Sequence, residues 1–468
     1  METISAASGN NYIYEQRTGY VSLVPNSYVS HGNHSSYYSE KIKYLKHFGL
    51  ISADSEPEYR LLEKQDIEDA LINTHQIILE VTDKCNLDCY YCGYGHFYDN
   101  YNARENIDMS FDVFKTLYDH LNKIWESNNN KGCTYLRISF YGGEPLCNFS
   151  FIKEAVDYTK HNPIKNKRIV FSMTTNAVLL DRYMEFLVAN NFEILISLDG
   201  NKFNDSYRVF KNGKSSFDTV IANIDKLYSS YPSFFARNVK FNSVLHNRNS
   251  VKDTNSFIFT RYQKYPMTNE LNVFGIAKSK RSDFLKIFHS KTKDFSLMTE
   301  DEKKEYENQS PFMYQYKRWA FNTLMKTYST NLLNALSEDY VSPKTSINLK
   351  LPTKTCIPFS RKIFVSVNGD LFPCERIGNE FDFGRIYDGK VEIHFDKIIS
   401  QYNQLFAKYT NICNGCKAKD FCSVCIVSDI NGYEICSRTK PRNIAEFISF
   451  SEIHPDILKK IIKTVSII

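Results

Sequence analysis

Residues 76–92, QIILEVTDKCNLDCYYC, hold more information than any other stretch of the chain. Residues 76–81 form an apolar run of strand length. Behind them, Cys85, Cys89 and Cys92 stand at C-x3-C-x2-C spacing on one loop. Iron–sulfur clusters are held by thiolates, ordinarily four to a cube. Three on one short loop hold three irons and leave the last open to an outside ligand. A zinc ion would instead need a fourth protein ligand in tetrahedral array, and His96 is the candidate.

Outward from this strand, strand-like and helix-like stretches alternate as far as residue 244. Ser110 is placed to cap a helix on which Phe114, Leu117, Tyr118, Leu121 and Trp125 recur at helical spacing. Further strands are expected at 136–141, 169–173, 194–198 and 239–245. Helices are expected near 151–159, on Leu180, Tyr183, Met184, Leu187 and Val188, and on Phe217, Val220, Ile221, Ile224 and Leu227. Units of this length imply a parallel sheet, doubly wound or closing toward a barrel. Ligands of such sheets gather at the carboxyl ends of the strands. Those ends are polar here: Tyr141-Gly142-Gly143-Glu144-Pro145, Thr174-Thr175-Asn176 and Ser197-Leu198-Asp199-Gly200. Glycines let backbone approach a ligand closely, and Glu144 offers an acceptor for an ammonium.

The C-x3-C-x-aromatic-C loop after the first strand resembles the signature of the radical S-adenosylmethionine (SAM) enzymes. The resemblance implies an α/β fold built on a partial (β/α)6 TIM-like barrel, with a [4Fe–4S] cluster on Cys85, Cys89 and Cys92. SAM would chelate the open iron through its amino and carboxylate groups, and a low-potential electron would cleave it to a 5′-deoxyadenosyl radical. Tyr91 then falls beside the adenine. Gly142, Gly143 and Glu144 receive the amino group of SAM, and Thr175, Asn176, Ser197 and Asp199 line its ribose and methionine. Arg208, in Ser206-Tyr207-Arg208-Val209-Phe210-Lys211, matches the family arginine that pairs with the SAM carboxylate, a bidentate fit. Ala177 stands where relatives often have glycine, and Asn204-Asp205 replaces a common His-Asp pair.

Seven of the twelve cysteines fall between 356 and 436. Their pattern is Cys356-x12-Gly369-x4-Cys374, then Cys413-x2-Cys416-x5-Cys422-x2-Cys425, then Cys436. Alone, Cys413–Cys425 also reads as a zinc knuckle. Taken together the pattern resembles the SPASM domain of radical SAM peptide maturases, with two auxiliary [4Fe–4S] clusters. The resemblance implies that Cys413, Cys416, Cys422 and Cys436 hold the second auxiliary cluster, and Cys356, Cys374 and Cys425 the first. Relatives add a cysteine just before the Cys356 position, which residues 348–352 lack, so that cluster is expected to have an iron open to substrate or a non-cysteine ligand. Glu375 matches the place of an aspartate proposed as proton acceptor in sulfatase-maturing relatives. Beside buried clusters its pKa is expected to be raised, suited to base work. Cys133 and Cys147 lie outside both patterns and read as small buried residues.

The first seventy or so residues show a strand–turn–strand pattern, 12–15 and 20–24, and a helix at 37–48. That is too little apolar material to stand alone. The segment looks like the small N-terminal α+β, leader-binding front ends of such maturases, where a strand edge captures an extended peptide. Residues 281–336 read as mostly helical, the Pro343 region as a linker, and Ile457, Leu458, Ile461, Ile462 and Val465 as a short apolar stripe. The expected division is a precursor-binding segment (1–73), a radical SAM core (74–250), its helical remainder and bridge (251–345), a SPASM domain (346–440) and a helical tail (441–468).

Composition sets bounds on all of this. The 468 residues are 42% hydrophobic and 24% charged, which suits a globular protein rather than a disordered one. A net charge of +5 is too small for a nucleic-acid binder. No apolar run approaches the ~18 residues of a membrane span, and no signal pattern opens the chain. A cytoplasmic setting is expected, where clustered thiols point to metal rather than disulfides. The expected function is hydrogen abstraction from a ribosomally made precursor peptide to install a thioether or C–C crosslink, with electrons from a flavodoxin or ferredoxin. Alternatives are a sulfatase-type maturase making formylglycine, and a zinc scaffold or degenerate partner protein.

Overall fold

The computed structural model describes residues 2–15, 20–26, 28, 36–47, 60–98, 104–128, 134–273, 275–299, 355–413, 425–428, 448, 449 and 452. At the N-terminus, strands β1 (Glu2–Ser5), β2 (Asn11–Glu15) and β3 (Tyr20–Val24) pair antiparallel in chain order. Helix α1 (Ser36–His47) covers one face, setting Ile42 and Leu45 on Ile13 and Val24. The other face buries Ile4, Ala6 and Tyr14 against Ile448. Ser8, Asn10 and Tyr12 all donate to the Glu452 carboxylate. The segment thus docks on the far end of the chain, as its small apolar content requires. Strand β1 was not expected.

Helix α2 (Lys64–Ile72) opens with a capping box between Glu63 and Asp66. It leads into β4 (Gln76–Thr82), α3 (Phe111–Ser127), β5 (Tyr135–Gly142), α4 (Phe149–His161), β6 (Arg168–Thr175), α5 (Leu180–Ala189) and β7 (Glu193–Ser197). Then come α6 (Phe217–Ser230), α7 (Pro232–Asn238), β8 (Val239–Leu245), α8 (Val251–Tyr262) and β9 (Met267–Glu270). Strands β4 to β9 are parallel neighbours in chain order, the expected six-strand partial barrel. Five of these six strands were located from the sequence; β9 is the sixth.

Alternation along these strands separates two environments. Ile77, Leu79, Val81, Ile138, Phe140, Met173, Ile196 and Phe241 join the helices in one core. The opposite face, though it includes Ile78, Val170 and Leu195, is mostly polar and cross-linked strand to strand. Gln76 donates to Ser139 at 2.8 Å, Ser139 and Ser172 share a bond of 2.7 Å, and Arg137 pairs with Glu193 at 2.9 Å. A barrel filled for stability alone would be lined with branched apolar side chains. This one keeps a mostly hydrophilic inner face.

Helices α9 (Arg281–Ile287) and α10 (Lys291–Leu297) follow. The helical expectation beyond them, the linker near 343 and the stripe at 457–465 lie outside the described residues. The C-terminal region then extends the same sheet. Strand β10 (Ile363–Val365) pairs parallel with β4, Phe364 opposite Ile78, and β11 (Asp370–Phe372), β12 (Gly384–Tyr387) and β13 (Lys390–Ile393) continue antiparallel. Helix α11 (Phe395–Cys413) lays Ile398, Tyr402, Phe406, Tyr409 and Cys413 into the main core. Among the described residues, no helix is long and apolar enough to cross a membrane.

Candidate functional site

The cysteine loop is fixed at its root and along its length. Asp83, just past β4, collects the amides of Glu105, Asn106 and Ile107 on its carboxylate. Further along, Asp88 N donates to Val209 O and Tyr90 N to Tyr207 O, so the loop is stitched to the segment carrying Arg208. Gly142 and Gly143 have a definite steric reason. A Cβ on either would stand 2.1 Å from a carbonyl oxygen, Thr82 O for Gly142 and Lys84 O for Gly143. Gly142 also holds φ +129°. The close approach these glycines permit is to the backbone under the cysteine loop, where Gly143 N bonds Thr82 O at 2.9 Å and Glu144 N bonds Lys84 O at 2.8 Å.

Cys85, Cys89 and Cys92 are partly buried. Leu87 N donates to Cys85 Sγ at 3.4 Å, and Arg104 Nη2 to Cys92 Sγ at 3.2 Å. Burial pushes the Cys85 thiol up to about 11 and Cys89 higher still. Among the described residues, no three His, Cys, Asp or Glu side chains converge on a single-ion site. His96 stacks on the Tyr90 ring at 5.8 Å. Three thiols on one loop, with N–H donors turned on two of their sulfurs, fit a polynuclear cluster better than a zinc ion.

The strand-end residues meet in two knots. In the first, the buried Glu144 carboxylate accepts from Leu146 N (3.2 Å), Thr175 Oγ1 (2.7 Å) and Asn176 N (2.7 Å), tying the end of β5 to that of β6. Burial pushes Glu144 up to about 7, against these bonds. Asn176 Nδ2 reaches Asn86 Oδ1 at 2.7 Å and lies 3.8 Å from Cys85 Sγ. Ala177 adopts φ +63°, the left-handed conformation that glycine takes without strain.

The second knot lies beyond β7, where Ser197 is half-buried. Tyr91 donates its hydroxyl to Asp199, and Arg208 places Nε 3.0 Å and Nη2 3.4 Å from the same carboxylate. The guanidinium also lies 5.5 Å from the Tyr91 ring centroid. Asp205 accepts Asp199 N at 3.0 Å and faces Arg208 Nε at 3.5 Å; its other oxygen is buried with no hydrogen-bond partner among the described residues. Burial alone would raise Asp199, but Arg208, His246 and Tyr91 together hold it well below the usual carboxylate range. Burial drives Asp205 the other way, up to about 8, against the pull of Arg208. His246, fully buried at the end of β8, accepts Arg248 N on Nδ1 and brings Nε2 to 3.7 Å from Asp199.

The structure therefore brings Tyr91, Asp199 and Arg208 together, and groups Glu144, Thr175 and Asn176 beside Cys85. Sequence reasoning missed Asp205 as a member, and His246 and Arg104 altogether. His246 sits at a polar strand end, the signal that pointed to the others; Arg104 carries no local signal.

In the C-terminal region, Cys356, Cys374 and Cys425 are partly buried. Tyr402 is fully buried on α11 within electrostatic reach of all three, and burial, then those thiols, drive its pKa well up. Cys413 is buried at the end of α11. Cys416, Cys422, Cys436, Cys133 and residues 348–352 lie outside the described residues. Two expectations are corrected. Burial of Glu375 favours a raised pKa, but Lys362 Nζ bonds both its oxygens, at 2.7 and 2.9 Å, and holds it below its ordinary value. Glu375 is a paired carboxylate lining a small cleft with Glu80, Tyr94 and Val367. Cys147 is exposed rather than buried, because Pro145, Leu146 and Asn148 take the inner side of its turn.

Residues 79–258 match the model of the radical SAM superfamily. That match implies SAM and a [4Fe–4S] cluster. The chain is 34% identical to a cysteine-type anaerobic sulfatase-maturating enzyme of Clostridium novyi, over 33% of this chain and 40% of that one. It is 26% identical to the radical SAM cyclopropyl synthase TigE of Paramaledivibacter caminithermalis, over 52% of this chain and 50% of that one. The chain thus spans about half or less of the length of the curated relatives it matches. Among solved structures, anSMEcpe with bound AdoMet and Kp18Cys peptide shares the fold, with a TM-score of 0.51 and 17% identity over 84% of this chain and 100% of that one.

Proposed function

We propose that the protein is a radical SAM enzyme that modifies a ribosomally made precursor peptide, installing a thioether or C–C crosslink. One observation carries the reading: the three-cysteine loop is packed onto Gly142-Gly143, with Glu144, Thr175 and Asn176 on one side and Tyr91, Asp199 and Arg208 on the other. The cluster and SAM, when bound, supply a 5′-deoxyadenosyl radical that takes hydrogen from an unactivated carbon. The chain's own residues orient and enclose. Gly142, Gly143 and Glu144 would hold the amino end of SAM, Thr175, Asn176, Ser197 and Asp199 its ribose and methionine, Tyr91 the adenine and Arg208 the carboxylate. Rigid placement of this kind keeps one C–H bond within reach of the radical and water away from it.

A peptide substrate is supported by the likeness to peptide maturases and by the N-terminal sheet. Strand β3 pairs only with β2 among the described residues, leaving an edge on which an extended leader can add a strand. The proposal includes two auxiliary [4Fe–4S] clusters, the first on Cys356, Cys374 and Cys425 with substrate or a non-cysteine ligand completing it, the second on Cys413, Cys416, Cys422 and Cys436. It also includes a flavodoxin or ferredoxin as electron donor. A second reading, oxidation of a Cys or Ser to formylglycine, is favoured by the similarity to sulfatase-maturating enzymes. The Lys362–Glu375 pair counts against Glu375 as its base.

The test is anaerobic reconstitution followed by iron analysis and a reductant assay. About twelve irons, from three cubes of four, and release of 5′-deoxyadenosine are expected. Zinc in their place indicates a scaffold. Precursor lighter by two hydrogens supports crosslinking, and an aldehyde on a sulfatase peptide supports the second reading. Absence of 5′-deoxyadenosine under strong reductant removes both.

A further inference from the structure

Arg104 lies 12 residues beyond Cys92 in sequence and returns to it in space, donating Nη2 to Cys92 Sγ at 3.2 Å. Its guanidinium charge also acts on Cys85 and Cys89. The side chain is half-buried, and among the described residues it forms no ion pair with a carboxylate. Its Nε is enclosed without a hydrogen-bond partner there. An arginine usually spends its fork on a carboxylate or in water; this one is turned on sulfur.

Its seat is built from two regions. The guanidinium lies 5.5 Å from the centroid of the Tyr94 ring. The Tyr94 hydroxyl bonds Glu80 on β4, and Glu80 Oε2 accepts Val367 N at 2.9 Å from the loop after β10. Docking of the C-terminal sheet therefore helps to hold the cation beside the cysteines.

We infer that Arg104 raises the reduction potential of the cluster on Cys85, Cys89 and Cys92, acting as a positioned cation and N–H donor to its sulfur. The inference rests on the radical SAM reading above. Reduction adds one electron, and hence one negative charge, to a partly buried cluster. A hydrogen bond to sulfur and a fixed positive charge stabilise the reduced form more than the oxidised one. Guanidinium keeps its proton in proteins, so the effect persists across working pH.

The test is a redox titration of the reconstituted full-length protein, followed by electron paramagnetic resonance, with an external low-potential chemical reductant. The signal that changes on adding SAM identifies the cluster concerned. At a fixed potential, Arg104→Gln is expected to lower the reduced-to-oxidised ratio at least about tenfold, equivalent to about 59 mV for a one-electron couple. Arg104→Lys, which keeps the charge, is expected to stay within about threefold of the wild type. A glutamine variant with an intact SAM-responsive signal and a ratio within about twofold of the wild type overturns the inference. Should that variant fail to take up iron, pulsed resonance on protein carrying 15N-guanidino arginine decides. A weak arginine-nitrogen coupling to the reduced cluster, lost in Arg104→Lys, supports the role; no such coupling, or one that survives the substitution, overturns it. A wild type that binds no iron on the three cysteines fails the radical SAM reading itself, and the inference falls with it.

Discussion

Arg208 places one positive charge against two buried carboxylates, and only Asp199 needs to be ionised to balance it. Asp205 keeps its proton in the fold up to about pH 8, whereas an aspartate in an unfolded chain titrates near 3.9. Between those values the folded protein holds one more proton here than the unfolded chain, so stability from this group falls as pH rises. Asp205→Asn copies the neutral form and removes that dependence. Its stability relative to the wild type is expected to improve by on the order of 1 kcal/mol per pH unit from about pH 5 to 7, read from urea unfolding at each pH. Gly143→Ala tests the packing under the cysteine loop. With a methyl 2.1 Å from Lys84 O, the strand end and the loop must part. The variant is expected to retain its far-ultraviolet circular dichroism and to lose most of the iron bound at Cys85, Cys89 and Cys92. These cysteines could be read from the sequence because their spacing is local. The role of Asp205 and the presence of His246 could not, because the network they join closes between β7 and β8, across an interval in which Asp199 meets Val244 N 45 residues away.

Strands and helices were legible in proportion to how regularly they bury apolar side chains. Strands β4 to β8 alternate or run apolar, and their expected bounds fall within two residues of those observed. Strand β9, Met-Thr-Asn-Glu, has no apolar period and is fixed by pairing with β8. Helix α11 was hidden differently. Ile398, Tyr402, Phe406 and Tyr409 do keep helical spacing, but the region was read from its cysteine spacing, which places no helix. Ile398 is fully buried in the main core. Ile398→Ala is expected to cost about 2–5 kcal/mol in denaturant unfolding, the range for deleting a buried aliphatic side chain. A value below about 1 kcal/mol would mean that α11 is not packed as described.

Across the whole molecule, the main core begins at Leu62 and takes nothing from β1–β3 or α1. Removing residues 1–59 is therefore expected to leave barrel and iron content intact while abolishing affinity for the precursor's leader. Fluorescence anisotropy with a labelled leader peptide checks this, and unchanged affinity would contradict leader capture. Composition and cysteine spacing foretold the two sulfur-bearing regions, but not that one sheet runs through both. The parallel pairing of β10 with β4 gives the two thiol groups a common backbone lattice. An electron crossing from one to the other would meet a gap whose width this shared sheet helps to fix. A calorimeter would register both regions melting in a single endotherm.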